Sequence, residues 1–184
     1  DTAARGDQPG EMGNALPSVA FGQNRFARQI ALGAAHSCAL LDDSNIKRWG
    51  SNTGAQLGLG DRASRGGRSG AVGDALPALR LGSGRFARAL YVRGQNSCAR
   101  LDDGRVKCWG RNQYGQALVG TTSSIGAAAD QMGDALAAAS FGSGRQAQTM
   151  GLGTYHACAL LDDRTIKCWG NNQYGQLGYG DTMT

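Results

Sequence analysis

The sequence predicts an all-β protein made of three propeller blades, and three observations carry that expectation. Trp49, Trp109 and Trp169 stand sixty residues apart, and Cys38, Cys98 and Cys158 keep the same interval, as do Gly50, Gly110 and Gly170. Within each unit, short apolar runs are bounded by Gly and Asp turns, the pattern of short strands rather than helices. Glycine supplies 30 of 184 residues, roughly twice average usage, at fixed places in every unit. A period this long marks a repeat architecture, and four short strands per unit are what a propeller blade requires. No insertion or deletion separates the copies.

Each blade is expected to be antiparallel and four-stranded. In the last unit, residues 148–152 read as one strand and residues 156–161 as the next, with small and apolar side chains on both faces. Asp162-Asp163-Arg164-Thr165 turns the chain, and its counterpart Asp102-Asp103-Gly104-Arg105 is a hairpin signal. Residues 166–169 return as a third strand, followed by a Gly-punctuated loop over 170–181. The fourth strand is placed at residues 138–141, with 19–21 and 78–81 as counterparts, and residues 12–18 and their counterparts are read as a brief helical turn. The units span residues 1–61, 62–121 and 122–184. Three such blades form an open arc, because closed propellers need four or more.

The net charge of +5 comes from arginine: Lys47, Lys107 and Lys167 are the only lysines among 19 basic residues. The arginines read as scattered, which argues against a nucleic-acid surface. No apolar run approaches the ~18 residues of a membrane span. The chain begins Asp1-Thr2-Ala3 without Met, as expected of a processed precursor or a piece of a larger polypeptide.

Motifs copied into every unit build the unit, so chemistry would need residues that break the pattern. Trp49, Trp109 and Trp169 are expected to be blade-packing anchors, each filling the gap to a neighbouring blade. Gln56, Gln116 and Gln176 join them, with the glutamine side chain bonding backbone in a neighbouring blade. His36 and His156 occupy equivalent places in different blades and would not converge on a metal or a catalytic centre. The Asp-Asp pairs fall in turns, where Asp bonds its own backbone. Asp7 and Glu11 become Gly67 and Ala71, then Ala127 and Gln131, which excludes a repeated metal site. Neither a nucleophile motif nor a phosphate loop is present, so no catalytic residue, cofactor or metal is assigned.

Cys98 and Cys108 flank one hairpin turn, as do Cys158 and Cys168, and two arms of a hairpin bring such positions within bridging distance when the loop sets them opposite. Two disulfides are therefore expected, with pairs of buried free thiols as the competing reading. Arg48 replaces the second cysteine in the first unit and leaves Cys38 as an unpaired thiol. Disulfides imply an oxidising compartment: secreted, periplasmic or an organelle lumen.

The string His156-Ala157-Cys158-Ala159-Leu160-Leu161-Asp162-Asp163, followed by Lys167-Cys168-Trp169-Gly170-Asn171-Asn172 and Gly175-Gln176-Leu177-Gly178-Tyr179-Gly180-Asp181, resembles a repeat of the regulator of chromosome condensation type. The resemblance implies blades of a seven-bladed β-propeller. Members of that family include a chromatin-bound exchange factor for a small GTPase and a secreted bacterial inhibitor of β-lactamase. The present unit is longer than the family's, and the surplus at residues 5–14 and their counterparts is expected to decorate one rim. The middle unit departs from the pattern at Asn96, where its neighbours have His, and at Ala117 and Leu118.

The functional expectation is a non-enzymatic protein–protein interaction module, a peripheral or accessory subunit docking on a larger assembly, with self-association as a second way to cover the end blades. The alternative is a regulatory propeller of the exchange-factor or chromatin-binding type, of which this chain would be a fragment.

Overall fold

The computed structural model describes residues 2–183. Three antiparallel sheets follow one another along the chain. The first is β1 (Ala27–Leu32), β2 (His36–Leu41) and β3 (Ile46–Gly50); the second is β4 (Ala87–Arg93), β5 (Asn96–Leu101) and β6 (Val106–Gly110). The third is β7 (Ala147–Leu152), β8 (His156–Leu161) and β9 (Ile166–Gly170). Each sheet has three strands, not the four expected. The runs at 19–21, 78–81 and 138–141 are apolar enough to read as strands, yet they lie in irregular backbone. Ala139 N–H donates to the Val106 carbonyl, so the third unit's run reaches the edge of the second sheet without forming a ladder. Single bridges, Gly50 to Arg65 and Gly110 to Ile125, extend the outer edges of the first two sheets with residues of the following unit.

Hairpin turns are built alike in all three blades, and the paired aspartates divide the work. Asp43, Asp103 and Asp163 accept from the backbone N–H two residues on, at 3.0, 3.1 and 3.0 Å. Asp42, Asp102 and Asp162 instead accept from the N–H of Phe26, Phe86 and Gln146, tying down the start of the first strand. Arg25, Arg85 and Arg145 each bridge to both aspartates of their own blade. Three of the arginines that read as scattered are thus a repeated structural clamp.

The Trp-Gly pair ending each sheet needs glycine. Gly50, Gly110 and Gly170 sit at φ +101°, +101° and +105°, where a Cβ would meet the carbonyls of Ala35, Gln95 and Tyr155. The brief helical turns are 3-10 turns at Gly13–Ala15, Gly73–Ala75 and Gly133–Ala135.

The long inserted segments are more than rim decoration. Glu11 Oε2 gathers the N–H groups of Gly6 and Gln8, and Gln131 Oε1 gathers those of Gly126, Ala127 and Ala128. In the third unit the segment also reaches back across a blade, with Gly60 N–H donating to the Gly126 carbonyl.

The core lies between sheets. Cys38, Leu40 and Ile46 on one side of the first blade join Leu90, Ala99, Leu101 and Trp109 of the second, and the run continues through Cys98, Cys108 and Val106 to Met150, Ala159, Leu161 and Trp169 of the third. Each blade thus has a leading face, carrying its Trp, and a trailing face, carrying its cysteines.

Candidate interaction surfaces

The junctions between blades are made of a small set of repeated contacts. Trp109 Nε1–H donates to the carbonyl of Gln56 at 3.0 Å, and Trp169 Nε1–H to that of Gln116 at 2.9 Å. It is therefore the glutamine backbone, not its side chain, that serves the neighbouring blade. The amide oxygens of Gln56, Gln116 and Gln176 turn back to accept from the N–H of Gly54, Tyr114 and Tyr174 in their own loops. Two residues apart, this is a local turn brace that recurrence alone does not distinguish from an inter-blade bond. Lysine adds a second contact: Lys47 Nζ reaches the Leu76 carbonyl, and Lys107 Nζ the Gly133 carbonyl, each in the following unit. A third comes from Asp134, which accepts from Ser83 N–H and Oγ–H at 2.9 and 2.6 Å.

The first junction has its own polar cluster. Gln29 pairs its side-chain amide with the backbone of Leu90, donating at 2.8 Å and accepting at 2.9 Å, in imitation of a strand neighbour. Ser97 Oγ–H donates to the Gln56 carbonyl and so must accept from His36, which places the imidazole proton on Nε2. His36 Nδ1 then has no partner. Burial, aided by the charge of Arg48, lowers the His36 pKa from 6.5 to about 4 and keeps the ring neutral. The residue is structural in its geometry, and His156 lies two blades away.

The cysteines face the trailing side. Cys98 and Cys108 are bonded, as are Cys158 and Cys168, each pair directly opposite across its hairpin. The first pair is buried in the junction between the second and third blades, whereas the second lies partly exposed on the last trailing face. Cys38 is free and buried, with its pKa pushed up to about 11 by desolvation. Its cross-strand partner, Arg48, is also buried, and none of the three guanidinium nitrogens has a hydrogen-bond partner. Desolvation lowers the Arg48 pKa to about 10.

The ends of the arc differ from its interior at equivalent positions. On the leading face, Leu90 and Met150 are 2% and 8% exposed, but Ile30 is 64% exposed; Leu76 and Leu136 are 1% and 3% exposed, but Leu16 is 42%. On the trailing face, Ile46 and Val106 are 1% and 0% exposed, but Ile166 is 66%. Trp49 is half-buried against Phe21. Lys167 instead donates to the Phe141 carbonyl of its own unit. Tyr179 Oη occupies part of the last edge, bonding both the N–H and the carbonyl of Cys168. The exposed pair Tyr114 and Tyr155, edge to face at 5.4 Å, forms a separate aromatic spot across the last two blades. Exposure contrasts of this kind are invisible in the sequence, where Ile30 and Leu90 look interchangeable.

Among the described residues, no three His, Cys, Asp or Glu side chains come together as a metal set, and no helix is long and apolar enough to cross a membrane.

Comparison with known proteins agrees with this architecture. The profile of the Regulator of chromosome condensation (RCC1) repeat matches residues 27–56, 94–116 and 149–176, once in each blade. The ultraviolet-B receptor UVR8 of Arabidopsis thaliana is 25% identical over 158 residues, covering 84% of this chain and 31% of the receptor. The human E3 ubiquitin-protein ligase HERC2 is 26% identical over 156 residues, 85% of this chain and 3% of the ligase. The chain thus spans less than a third of either relative. Among solved structures, Prp20p from Saccharomyces cerevisiae superposes with a TM-score of 0.62 at 19% identity, covering 84% of this chain and 35% of that one, a likeness of fold. The chain thus matches the Regulator of chromosome condensation (RCC1) repeat three times, once in each blade of an all-β fold like that of Prp20p.

Proposed function

We propose that this chain is a non-enzymatic protein–protein interaction module, acting as a peripheral or accessory subunit of a larger assembly. The observation that carries the reading is the exposure of Ile30, Leu16 and Ile166 at positions that the inner blades bury. Apolar faces of that kind on a repeat scaffold are covered by a partner. The units proposed are residues 1–61, 62–121 and 122–184, with Trp49, Trp109 and Trp169 as packing anchors. The two bonded cysteine pairs support an oxidising compartment. The regulatory alternative draws its support from likeness to Prp20p, whose structure is described together with its binding to Gsp1p and histones; no residue-level observation favours it.

The test is affinity capture with immobilised wild-type chain and with a double variant, Ile30→Glu plus Ile166→Glu. Proteins held by the wild type and released by the double variant are expected. An identical set held by both chains would refute the end faces as interaction surfaces.

A further inference from the structure

Both junctions inside the chain join a trailing face to a leading face, and their tryptophan bonds keep one sequence separation. The two Trp-to-carbonyl bonds each span 53 residues. In the first junction the histidine-to-serine bond spans 61 residues; the lysine-to-carbonyl bond spans 29 there and 26 in the second. At its two ends the chain is left with the two halves of one more such junction. The third blade offers the Gln176 carbonyl, His156, Lys167 and the exposed Ile166. The first blade offers the indole N–H of Trp49, Ser37, the Leu16 carbonyl and the exposed Ile30. When each spacing is carried past the last blade into a second copy, these groups meet as pairs: Trp49 on Gln176, Ser37 on His156, and Lys167 on the turn from Gly13 to Leu16. The apolar surfaces correspond in the same way, since Ile166 would bury as Ile46 and Val106 do, and Ile30 as Leu90 and Met150 do.

We propose that two copies of this chain join head to tail, the trailing face of the third blade of one receiving the leading face of the first blade of the other. The proposal rests on the interaction-module reading and names the partner as a second copy. The contact is heterologous, and a second contact of the same kind between the same two copies would close the pair. The closed pair has six blades, within the range of four to eight that propellers adopt. On pairing, Lys167 leaves the Phe141 carbonyl for the partner's turn, the reach that Lys47 and Lys107 already make.

The experiment is sedimentation of the purified full chain, disulfides intact, over a wide concentration range. The wild type is expected at twice 19.1 kDa. Ile30→Glu and Ile166→Glu, each at a position exposed in the single chain, should retain the wild-type circular dichroism. Each should weaken association by about tenfold or more. An equimolar mixture of the two variants should associate again, because each supplies the half that the other has lost. Sensitivity to only one variant would mark a like-with-like contact and overturn the proposal, as would sensitivity to neither. A wild type that stays monomeric throughout would also overturn it and assign the faces to a different polypeptide. The capture experiment, which reads foreign partners, would still decide the broader reading.

Discussion

Cys38 and Arg48 face one another across β2 and β3 in the same register that joins Cys98 to Cys108 in the next blade and Cys158 to Cys168 in the one after. One position thus holds a covalent bond in the second and third blades and, in the first, a buried guanidinium with no hydrogen-bond partner. An unpaired buried charge costs on the order of several kcal/mol. The first blade therefore carries a destabilising element that the other two replace with a covalent bond.

Arg48→Cys should close a third disulfide with Cys38. It removes the unpaired charge and closes a loop of the same length as the two existing ones, so a gain of about 2–4 kcal/mol is expected. Thiol titration of the unreduced, denatured variant should find no free cysteine, and urea unfolding should give the stability. A free thiol pair at positions 38 and 48 would refute the shared register.

The wild-type chain should show one thiol when denatured without reductant, and five after reduction. In the native state Cys38 should react slowly even at pH 8, because the thiolate is the reactive form and burial holds its pKa near 11. Rates of modification by a small aromatic disulfide, native against denatured, check this.

Stability should fall in mild acid. Folded His36 refuses its proton until about pH 4, while the unfolded chain takes it up near 6.5. Between those values the unfolded state binds more protons, so His36 contributes fully above pH 6.5 and its contribution is lost as pH falls toward 4, by up to about 3 kcal/mol. His36→Asn, which installs the residue found at the equivalent Asn96, should flatten the profile. Urea midpoints at half-unit steps from pH 7.5 to about 4.5, above most carboxylate titration, provide the measurement.

The three tryptophans should not be equal. Trp109 is buried and bonded to the Gln56 carbonyl, so Trp109→Ala should cost about 3–5 kcal/mol. Trp49 is half-buried at the open end and should cost less than half as much at concentrations where the chain is monomeric. Thermal unfolding of the two variants side by side gives the comparison.

The hairpins were legible because their signals are local: Asp-Asp turns, alternating short apolar runs and the Trp-Gly stop. The register of the cysteine pairs followed from the same locality. The fourth strand was misread because an apolar run such as 78–81 can be buried without joining a ladder, and a sequence does not distinguish burial between blades from pairing at an edge. Arg25, Arg85 and Arg145 keep the sixty-residue spacing, but their partners lie 17 and 18 residues on, and only the folded hairpin brings those aspartates beside them. The switch in Gln56 from side chain to carbonyl could not have been read, because every residue carries a carbonyl.

The equal spans of the two tryptophan bonds between blades bear on how a gene for such a chain can change. Loss or gain of a whole unit by unequal recombination leaves every surviving joint with both of its partners. An insertion of one residue within a strand would instead turn alternate side chains to the wrong face and disturb two joints at once. At a period of sixty residues the three copies align without a gap, yet they differ at single positions such as Arg48 and Asn96.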